Sequence, residues 1–167
     1  MEIKIKDALL AQAAQEGMDE FIKVFVDAIH DAIGGELSAE TMPKLNADQI
    51  TLLAYYYLRE EVMDGGFIQL INNGLGGFIF LNPFARAIRE WGLPTLSPII
   101  NGCHKLYKKY REELEKDYTD EEFMALFEKY PDFDKYDDAF VESEEEFTEA
   151  VARYVDDNIE KFATIVE

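Results

Sequence analysis

The stretch from Gly65 to Ala85 contains no charged side chain, although the 167-residue chain has a formal net charge of −19. Within this uncharged stretch, Phe67, Leu70 and Ile71 recur at the spacing of one helix face. The stretch is about as long as a membrane helix, but its five glycines and four side-chain amides argue against one. We therefore expect it to form the buried centre of the fold, with the acidic residues on the elements around it.

The composition is that of a folded domain. Apolar residues make up 48% of the chain and aromatic residues 13%, which excludes a disordered chain despite the charge. The length predicts a single domain over residues 1–167. Cys103 is the only cysteine, so an internal disulfide framework is excluded, and the apolar run at residues 8–11 is too short for a secretory signal. We expect a cytoplasmic protein.

The negative charge is concentrated near the C-terminal end of the sequence. Residues 1–111 hold 14 acids and 11 bases, a net charge of −3, whereas residues 112–167 hold 21 acids and 5 bases, a net charge of −16. Such a concentration of like charge costs stability through self-repulsion. It has two interpretations, which the composition leaves open: an acidic surface that serves solubility, or a binding face for a basic partner.

Helical periodicity dominates the chain, and strand alternation is scarce. The fold class is therefore predicted as all-α: one compact, irregular bundle of about seven helices with a strongly acidic C-terminal part, residues 112–167. The run Phe78–Leu81 is left open between strand and loop. The predicted helices cover residues 3–15, 19–33, 47–64, 67–72, 84–91, 95–116, 121–130 and 138–165.

Several helix ends have explicit sequence signals. Asn46 with Gln49, and Thr119 with Glu122, have the spacing of capping boxes. Asn82 followed by proline predicts another helix start, with the asparagine as the N-cap. Residues 65 and 66 are both glycine, and we expect the first of them to end the preceding helix in a left-handed conformation.

A search for catalytic or metal-binding patterns gives no positive result. The aspartates at 132–138 lack the glycine and the final glutamate of a calcium loop. Cys103 and His104 are adjacent on a predicted helix and point in different directions. Gln69, Asn72 and Asn73 have two interpretations: they line a polar pocket of an enzyme, or they cap helices and satisfy backbone groups. We favour the second, and predict no enzyme, no cofactor and no metal.

A short basic cluster at residues 105–111 does not change this conclusion. Lys105, Lys108, Lys109 and Arg111 follow helical spacing, but the field of so acidic a chain repels phosphates. We expect these side chains to pair with nearby acids such as Glu112 and Glu113, and we predict no direct binding to nucleic acid.

The acidic residues of the last predicted helix form a regular pattern. Four glutamates recur at i, i+3, i+4 and i+7, opposite the apolar stripe, and side chains so spaced lie about 5–6 Å apart. DNA also presents a regular ladder of negative charge, so a protein built to grip phosphates could grip this face. The predicted partner-binding residues are Glu142, Glu145, Glu146, Glu149, Asp156 and Glu160, with Asp120, Glu121 and Asp137 as lesser candidates.

The uncharged stretch begins with a motif that resembles a known family. Asp64-Gly65-Gly66-Phe67-x-Gln69, followed by Asn73-Gly74, resembles the signature of a bacterial family of acidic, all-helical DNA-mimic proteins, often listed as a domain of unknown function. Asp64 stands where the usual form has asparagine. The resemblance covers about residues 46–93 and extends to residues 112–167 in acidic character only. It implies a helical fold, a homodimer and, for the mimic member, binding to a transcription factor in competition with DNA.

Two functions from different classes follow. The first is a DNA mimic that occupies the basic DNA-binding surface of a transcription factor or another nucleic-acid-binding protein. The alternative is a protein-interaction or immunity-type module of another kind, which is acidic for solubility. In the first, the motif residues 64–74 are structural and the exposed acids determine the binding. In the alternative, the acids serve solubility and the binding site lies beside the glycine-rich loop.

Overall fold

The computed structural model describes residues 1–167 and is predominantly helical, as the periodicity predicts. Nine α-helices and one pair of short strands follow one another along the chain. Two 3₁₀ turns lie at Met42–Lys44 and Pro131–Phe133. The elements are β1 (Lys4–Lys6), α1 (Asp7–Glu16), α2 (Met18–Ile33), α3 (Ala47–Asn72), α4 (Gly76–Phe80), α5 (Phe84–Glu90), α6 (Leu96–Leu114), α7 (Asp120–Lys129), α8 (Asp134–Asp157), α9 (Ile159–Phe162) and β2 (Thr164–Val166).

The chain forms two compact units, whose boundaries fall inside α3 and α8. The first unit contains Met1–Tyr56 and Glu146–Glu167, and the second contains Tyr57–Glu145. The predicted single domain over residues 1–167 stays a prediction. None of the helices combines the length and the apolar character that crossing a membrane requires.

In the first unit, the two ends of the chain meet. β1 and β2 pair in parallel, with Ile5 opposite Ile165. The core includes Phe25 and Phe162, whose rings meet edge to face at 6.2 Å. The predicted box at the start of α3 is confirmed, since the Gln49 N–H donates to Asn46 Oδ1 at 2.8 Å and the Asn46 N–H donates to Gln49 Oε1 at 3.0 Å.

The strands correct the prediction for both ends of the chain. Residues 3–15 were predicted as one helix, but α1 begins only at Asp7; the last helix was predicted to reach Ile165, but the chain leaves α8 after Asp157. Two strands of three residues each are too short for alternation to reveal. Their pairing depends on contact between the two ends of the chain, which local sequence does not encode.

In the second unit, the uncharged stretch supplies much of the core, as predicted, although its residues 73, 74 and 81–83 are exposed. Phe67, Ile68, Leu70 and Ile71 are completely buried. The Phe67 ring lies edge to face against Phe140 at 6.5 Å. The run 78–81, left open between strand and loop, instead belongs to the short helix α4. The amide of Asn82 donates to the Phe78 carbonyl at 2.9 Å, so it closes α4 and does not cap α5 as predicted.

Helix α3 breaks in the middle of the motif. Gly66 has φ 81° and ψ −176°, a conformation that is essentially restricted to glycine. The prediction placed the left-handed residue at Gly65, which the structure corrects by one position, because Gly66 is the glycine with a positive φ. The break redirects the chain, so that the segment from Phe67 to Asn72 enters the core as a helix of its own.

Candidate functional site

Helix α8 separates apolar from acidic side chains along its length. Phe140, Phe147, Val151 and Val155 are buried on one side. On the other side the acids are exposed, because at 100° per residue they fall opposite this stripe. The exposed acids on this face include Glu142, Glu145, Glu146 and Asp156, all four of them predicted. Glu142 and Glu145 belong to the second unit, and Glu146 and Asp156 to the first.

Two of the predicted acids differ from the rest of the row. Glu149 is only partly exposed, and its Oε1 accepts a 2.8 Å hydrogen bond from Arg153 Nη2 on the next turn. Glu160 was predicted as the end of the same helix, but α8 stops at Asp157 and Glu160 lies on α9. Glu160 is exposed but is not part of the helical row, which ends at Asp156.

Asp137 is turned toward the core of the second unit. Its Oδ1 accepts a 2.8 Å hydrogen bond from the backbone N–H of Phe67. Burial raises the pKa of the Asp137 carboxyl to about 6; the hydrogen bond from Phe67 opposes this increase, and the charges of Asp134 and Asp138 add to it. This carboxylate caps the helical segment that begins after the break at Gly66, and we therefore exclude it from the proposed binding face.

Asp120 and Glu121 occupy the first turn of α7 and are exposed. The predicted box before them is confirmed: the Glu122 N–H donates to Thr119 Oγ1 at 3.2 Å, and the Thr119 N–H donates to Glu122 Oε1 at 3.0 Å. Carboxylates in the first turn of a helix interact favourably with the helix dipole and stabilise the helix. Both residues therefore have a structural role besides any part in binding.

One buried carboxylate was not predicted from the sequence. Glu144 is 7% exposed and forms an ion pair with Arg59, whose side chain is largely buried too. A signal was present, since Glu144 lies four residues after Phe140 and three before Phe147, in line with the apolar stripe. Its two neighbours in the predicted list, Glu142 and Glu145, point to solvent.

The side-chain amides of the motif bind other groups of the protein, but only Asn72 satisfies backbone groups, as the favoured interpretation expected of all three. Gln69 Nε2 donates to Glu61 Oε2 and to Asp64 Oδ2, both at 2.9 Å. Asn73 Nδ2 donates to the same Glu61 oxygen at 2.9 Å. Asn72 Nδ2 donates at 2.9 Å to the carbonyls of Leu114 and Lys116, at the end of α6. These contacts hold the motif together and fix α6 to it.

The basic cluster on α6 pairs with a nearby acid only at Arg111, and that acid is neither Glu112 nor Glu113. Arg111 Nε lies 3.0 Å from Glu115 Oε1, and Glu113 pairs with Lys116 at 3.2 Å. Lys105, Lys108 and Lys109 are exposed and form no ion pair with Glu112 or Glu113. Lys109 instead lies over the Tyr110 ring, with its Nζ 5.1 Å from the ring centroid.

The excess charge is shared by the two units. The first unit holds 16 acids and 6 bases, a net charge of −10, and the second holds 19 acids and 10 bases, a net charge of −9. The negative charge is therefore concentrated along the sequence, in residues 112–167, but not in one of the two units. Helix α8, whose residues belong to both units, carries much of this charge.

Comparison with known proteins decides the family. Residues 43–158 match the family model described as "DMP19-like protein", which is well over half of the chain. The chain belongs to the DMP19-like protein family. It is also 33% identical over 128 residues to "DNA mimic protein DMP19" of Neisseria meningitidis serogroup B, a match that covers 75% of this chain and 77% of that protein.

Membership of the DMP19-like family confirms the resemblance inferred from the motif. The matched range is wider than residues 46–93, where the resemblance was placed, and it includes the whole of α8. That the family's usual signature has asparagine at the position of Asp64 stays a prediction. In this chain the Asp64 carboxylate accepts a hydrogen bond from Gln69, which an asparagine side-chain oxygen could also accept.

Proposed function

We propose that this DMP19-like protein is a non-enzymatic DNA mimic. In this proposal, the exposed acids of α8 occupy the basic surface with which a transcription factor or another DNA-binding protein holds DNA. The partner and DNA then compete for one surface. The proposal places this competition in the cytoplasm, where DNA-binding regulators of bacteria act.

The observation that carries the proposal is the set of unpaired acids on α8. Glu142, Glu145 and Glu146 are exposed, and no lysine or arginine lies within ion-pair distance of them. Their separations of three and four residues bring like charges together on the same face, which is unfavourable in the isolated protein. A basic partner relieves this repulsion when it binds.

A helix suits this role because it holds the charges in place before binding. The buried stripe of Phe140, Phe147 and Val151 fixes the orientation of α8, so little backbone order must be gained on association. DNA likewise presents its phosphates along a stiff, regular backbone. The name of the meningococcal relative, "DNA mimic protein DMP19", supports the same interpretation.

The test begins with affinity capture from the cytosol of the source bacterium at low salt, with elution at high salt. Charge-steered complexes weaken as salt screens them. Each captured protein is then purified and bound to its DNA, and the DMP19-like protein is added. The expected result is a captured DNA-binding protein that releases its DNA in proportion to the added protein.

Two variants with equal net charge locate the surface. In the first, Glu142, Glu145, Glu146 and Asp156 are replaced by their amides. In the second, the exposed acids Asp27, Asp31, Glu36 and Glu40 are replaced in the same way. The α8 variant should lose DNA displacement, and the control should keep it. Equal loss in both would show that overall charge, and not α8, is recognised.

The alternative of a protein-interaction or immunity-type module predicts a different outcome. The captured partner would then lack DNA-binding activity, and added DNA would not compete with this protein for it. That result would overturn the mimic proposal. Sedimentation of the purified protein, alone and with its partner, gives the stoichiometry and tests the homodimer that the family resemblance implies.

A further inference from the structure

The first unit contains an apolar cleft beside the acidic residues of α8. Its volume is about 320 Å³. Its apolar lining includes Ala14 of α1, Met18 and Phe21 of α2, and Ala152 of α8. The remaining lining residues are Gly17, Glu149, Arg153 and Asp156. Apolar side chains and charged groups of opposite sign therefore share one concave site.

Gly17 borders the cleft at the turn between two helices. Gly17 is the only residue between α1 and α2, and it has φ 141° and ψ 171°. A Cβ atom placed on Gly17 would have no neighbour within 4 Å, so the region in front of this residue is open. Met18, the first residue of α2, remains 48% exposed, although Phe21 one turn later is buried.

The charges around the cleft favour a basic occupant. Asp156 and Glu149 lie in the lining itself, and Arg153 is bound by Glu149 at 2.8 Å. Glu146 lies on the same helix, one turn before the cleft, and Glu16 directly precedes Gly17; both are exposed. The first unit as a whole carries a net charge of −10. A purely apolar or an acidic ligand would gain nothing from this field.

We infer that the cleft receives one bulky apolar side chain from a basic helix of the DNA-binding partner, while the lysines and arginines of that helix face the acids of α8. This inference rests on the proposed function and adds a specificity site to it. Helices inserted into grooves are recognised through such anchors at helical spacing. Regulators commonly hold DNA with a basic helix, which is the element a mimic must engage.

An anchor of this kind answers a physical problem of charge mimicry. Exposed ion pairs each contribute little, and they are screened by salt. A surface of acids alone would bind basic proteins with little discrimination. Burial of an apolar side chain is not screened, and well-packed anchors dominate the binding energy of many interfaces. The acids would then increase the association rate and orient the partner as it approaches. The cleft would contribute to the specificity for one partner over others.

The test uses two synthetic helical peptides that are rich in lysine and arginine and equal in charge. One carries a leucine at its central position, and the other carries a serine there. Their affinities for the full chain are measured by calorimetry at about 0.05 M and about 0.5 M NaCl. The leucine peptide should bind about tenfold more tightly or better, and the ratio of the two affinities should be preserved at high salt.

A pair of protein variants locates the binding of the leucine. Ala14→Trp fills the cleft from its rim, and Ala8→Trp places the same side chain on an exposed position of α1 outside the cleft. The preference for leucine should disappear in the first variant and persist in the second. Thermal melting of both variants confirms that they are folded.

The possible outcomes separate this inference from the proposed function. Three results would each overturn the inference that the cleft binds an apolar side chain. They are equal affinity of the two peptides, a leucine preference that survives Ala14→Trp, and no binding of either peptide. The acidic face of α8 is tested separately by replacing Glu142, Glu145 and Glu146 with glutamine, which leaves Asp156 of the cleft lining unchanged. If that variant still displaces DNA while the leucine preference maps to the cleft, these acids are not the surface that competes with DNA, and the cleft remains.

Discussion

The backbone N–H of Phe67 donates a 2.8 Å hydrogen bond to Oδ1 of Asp137, seventy residues later in the chain. Phe67 begins the second segment of α3, directly after the break at Gly66. A helix start leaves backbone N–H groups without partners, and a buried one must find an acceptor. Asp137 of α8 therefore provides a cap from a distant part of the sequence for a helix that has no local capping residue.

Asp137 predicts a specific pH dependence of stability. Its pKa in the folded protein is about 6, above the ordinary value of 3.8, chiefly because the carboxyl is buried. The folded state therefore binds more protons than the unfolded state between these values. The stability contribution of the protonated carboxyl is complete below about pH 4 and is lost as the pH rises through about 6.

Asp137→Asn should remove this dependence, since an amide oxygen still accepts from Phe67 and carries no charge. The free energy of unfolding of the variant, relative to wild type, should increase between pH 4 and pH 6 and level off above that range. Urea titrations across this range measure it. Asp117→Asn, at an exposed position, is the control and should show no such trend. A difference that does not change with pH would contradict the assignment.

Gly66→Ala should be among the most damaging single changes in the second unit. Its φ of 81° strains any other residue, and a Cβ there would lie 2.5 Å from Asp137 Oδ2. We expect a loss of about 3 kcal/mol or more in the free energy of unfolding. Gly74→Ala separates the two causes, because Gly74 has φ 85° with no neighbour within 4 Å of a Cβ. That control should cost only the backbone strain, about 1–2 kcal/mol. Equal losses would exclude the steric contribution of Asp137.

These glycines show how far local sequence predicts the fold. The longer helices and both capping boxes follow from periodicity and from residues three apart, which are local signals, whereas α4 and α9 do not. The order Gly65-Gly66 also predicts a helix end, but not that Gly66 is the residue with a positive φ or that Asp137, distant in sequence, accepts from the Phe67 N–H that follows it. For the same reason β1 and β2 were missed, since each exists only because the other end of the chain lies beside it.

The candidate site was predictable to a similar extent. Periodicity places Glu142, Glu145 and Glu146 on the exposed side of α8, and they are exposed. The inward turn of Asp137 and the pairing of Glu144 depend on partners elsewhere in the chain, Phe67 and Arg59. The cleft at Gly17 had no sequence signal beyond a glycine between two helices.

Adjacent glutamates on α8 should respond very differently to the same substitution. Glu144→Gln removes the carboxylate that lies nearest to the Arg59 guanidinium, in a largely buried position, while Glu60 Oε1 stays 3.7 Å from Arg59 Nη1, and we expect a loss of about 1–3 kcal/mol in the free energy of unfolding. Glu145→Gln, at an exposed position, should change stability by less than about 0.5 kcal/mol. Chemical denaturation of both variants is the measurement. A small effect at Glu144 would mean that solvent reaches the pair.

Asn72 should be important for stability and not for binding. Its side-chain amide donates to the carbonyls of Leu114 and Lys116, and alanine would leave both without that donor. We expect a loss of about 1–3 kcal/mol in the free energy of unfolding, with unchanged capture of the partner. Asn73→Ala, which removes one exposed contact with Glu61, is the matched control and should cost less. Loss of capture in a folded Asn72→Ala variant would revive a binding role for this amide.

The acids of the proposed binding face should reduce the stability of the free protein. Glu142, Glu145 and Glu146 lie three and four residues apart from one another or from Glu149, and each such like-charge pair is destabilising by about 0.2–0.5 kcal/mol. Replacing the three by glutamine should therefore raise the melting temperature at low salt while it abolishes capture of the partner. The gain should shrink at high salt, where repulsion between exposed charges is screened. Calorimetric melting at two salt concentrations tests this, with the amide variant of Asp27, Asp31 and Glu36 as the control. A less stable α8 variant would show that these carboxylates stabilise the fold, and the argument that their repulsion is relieved by a basic partner would fail.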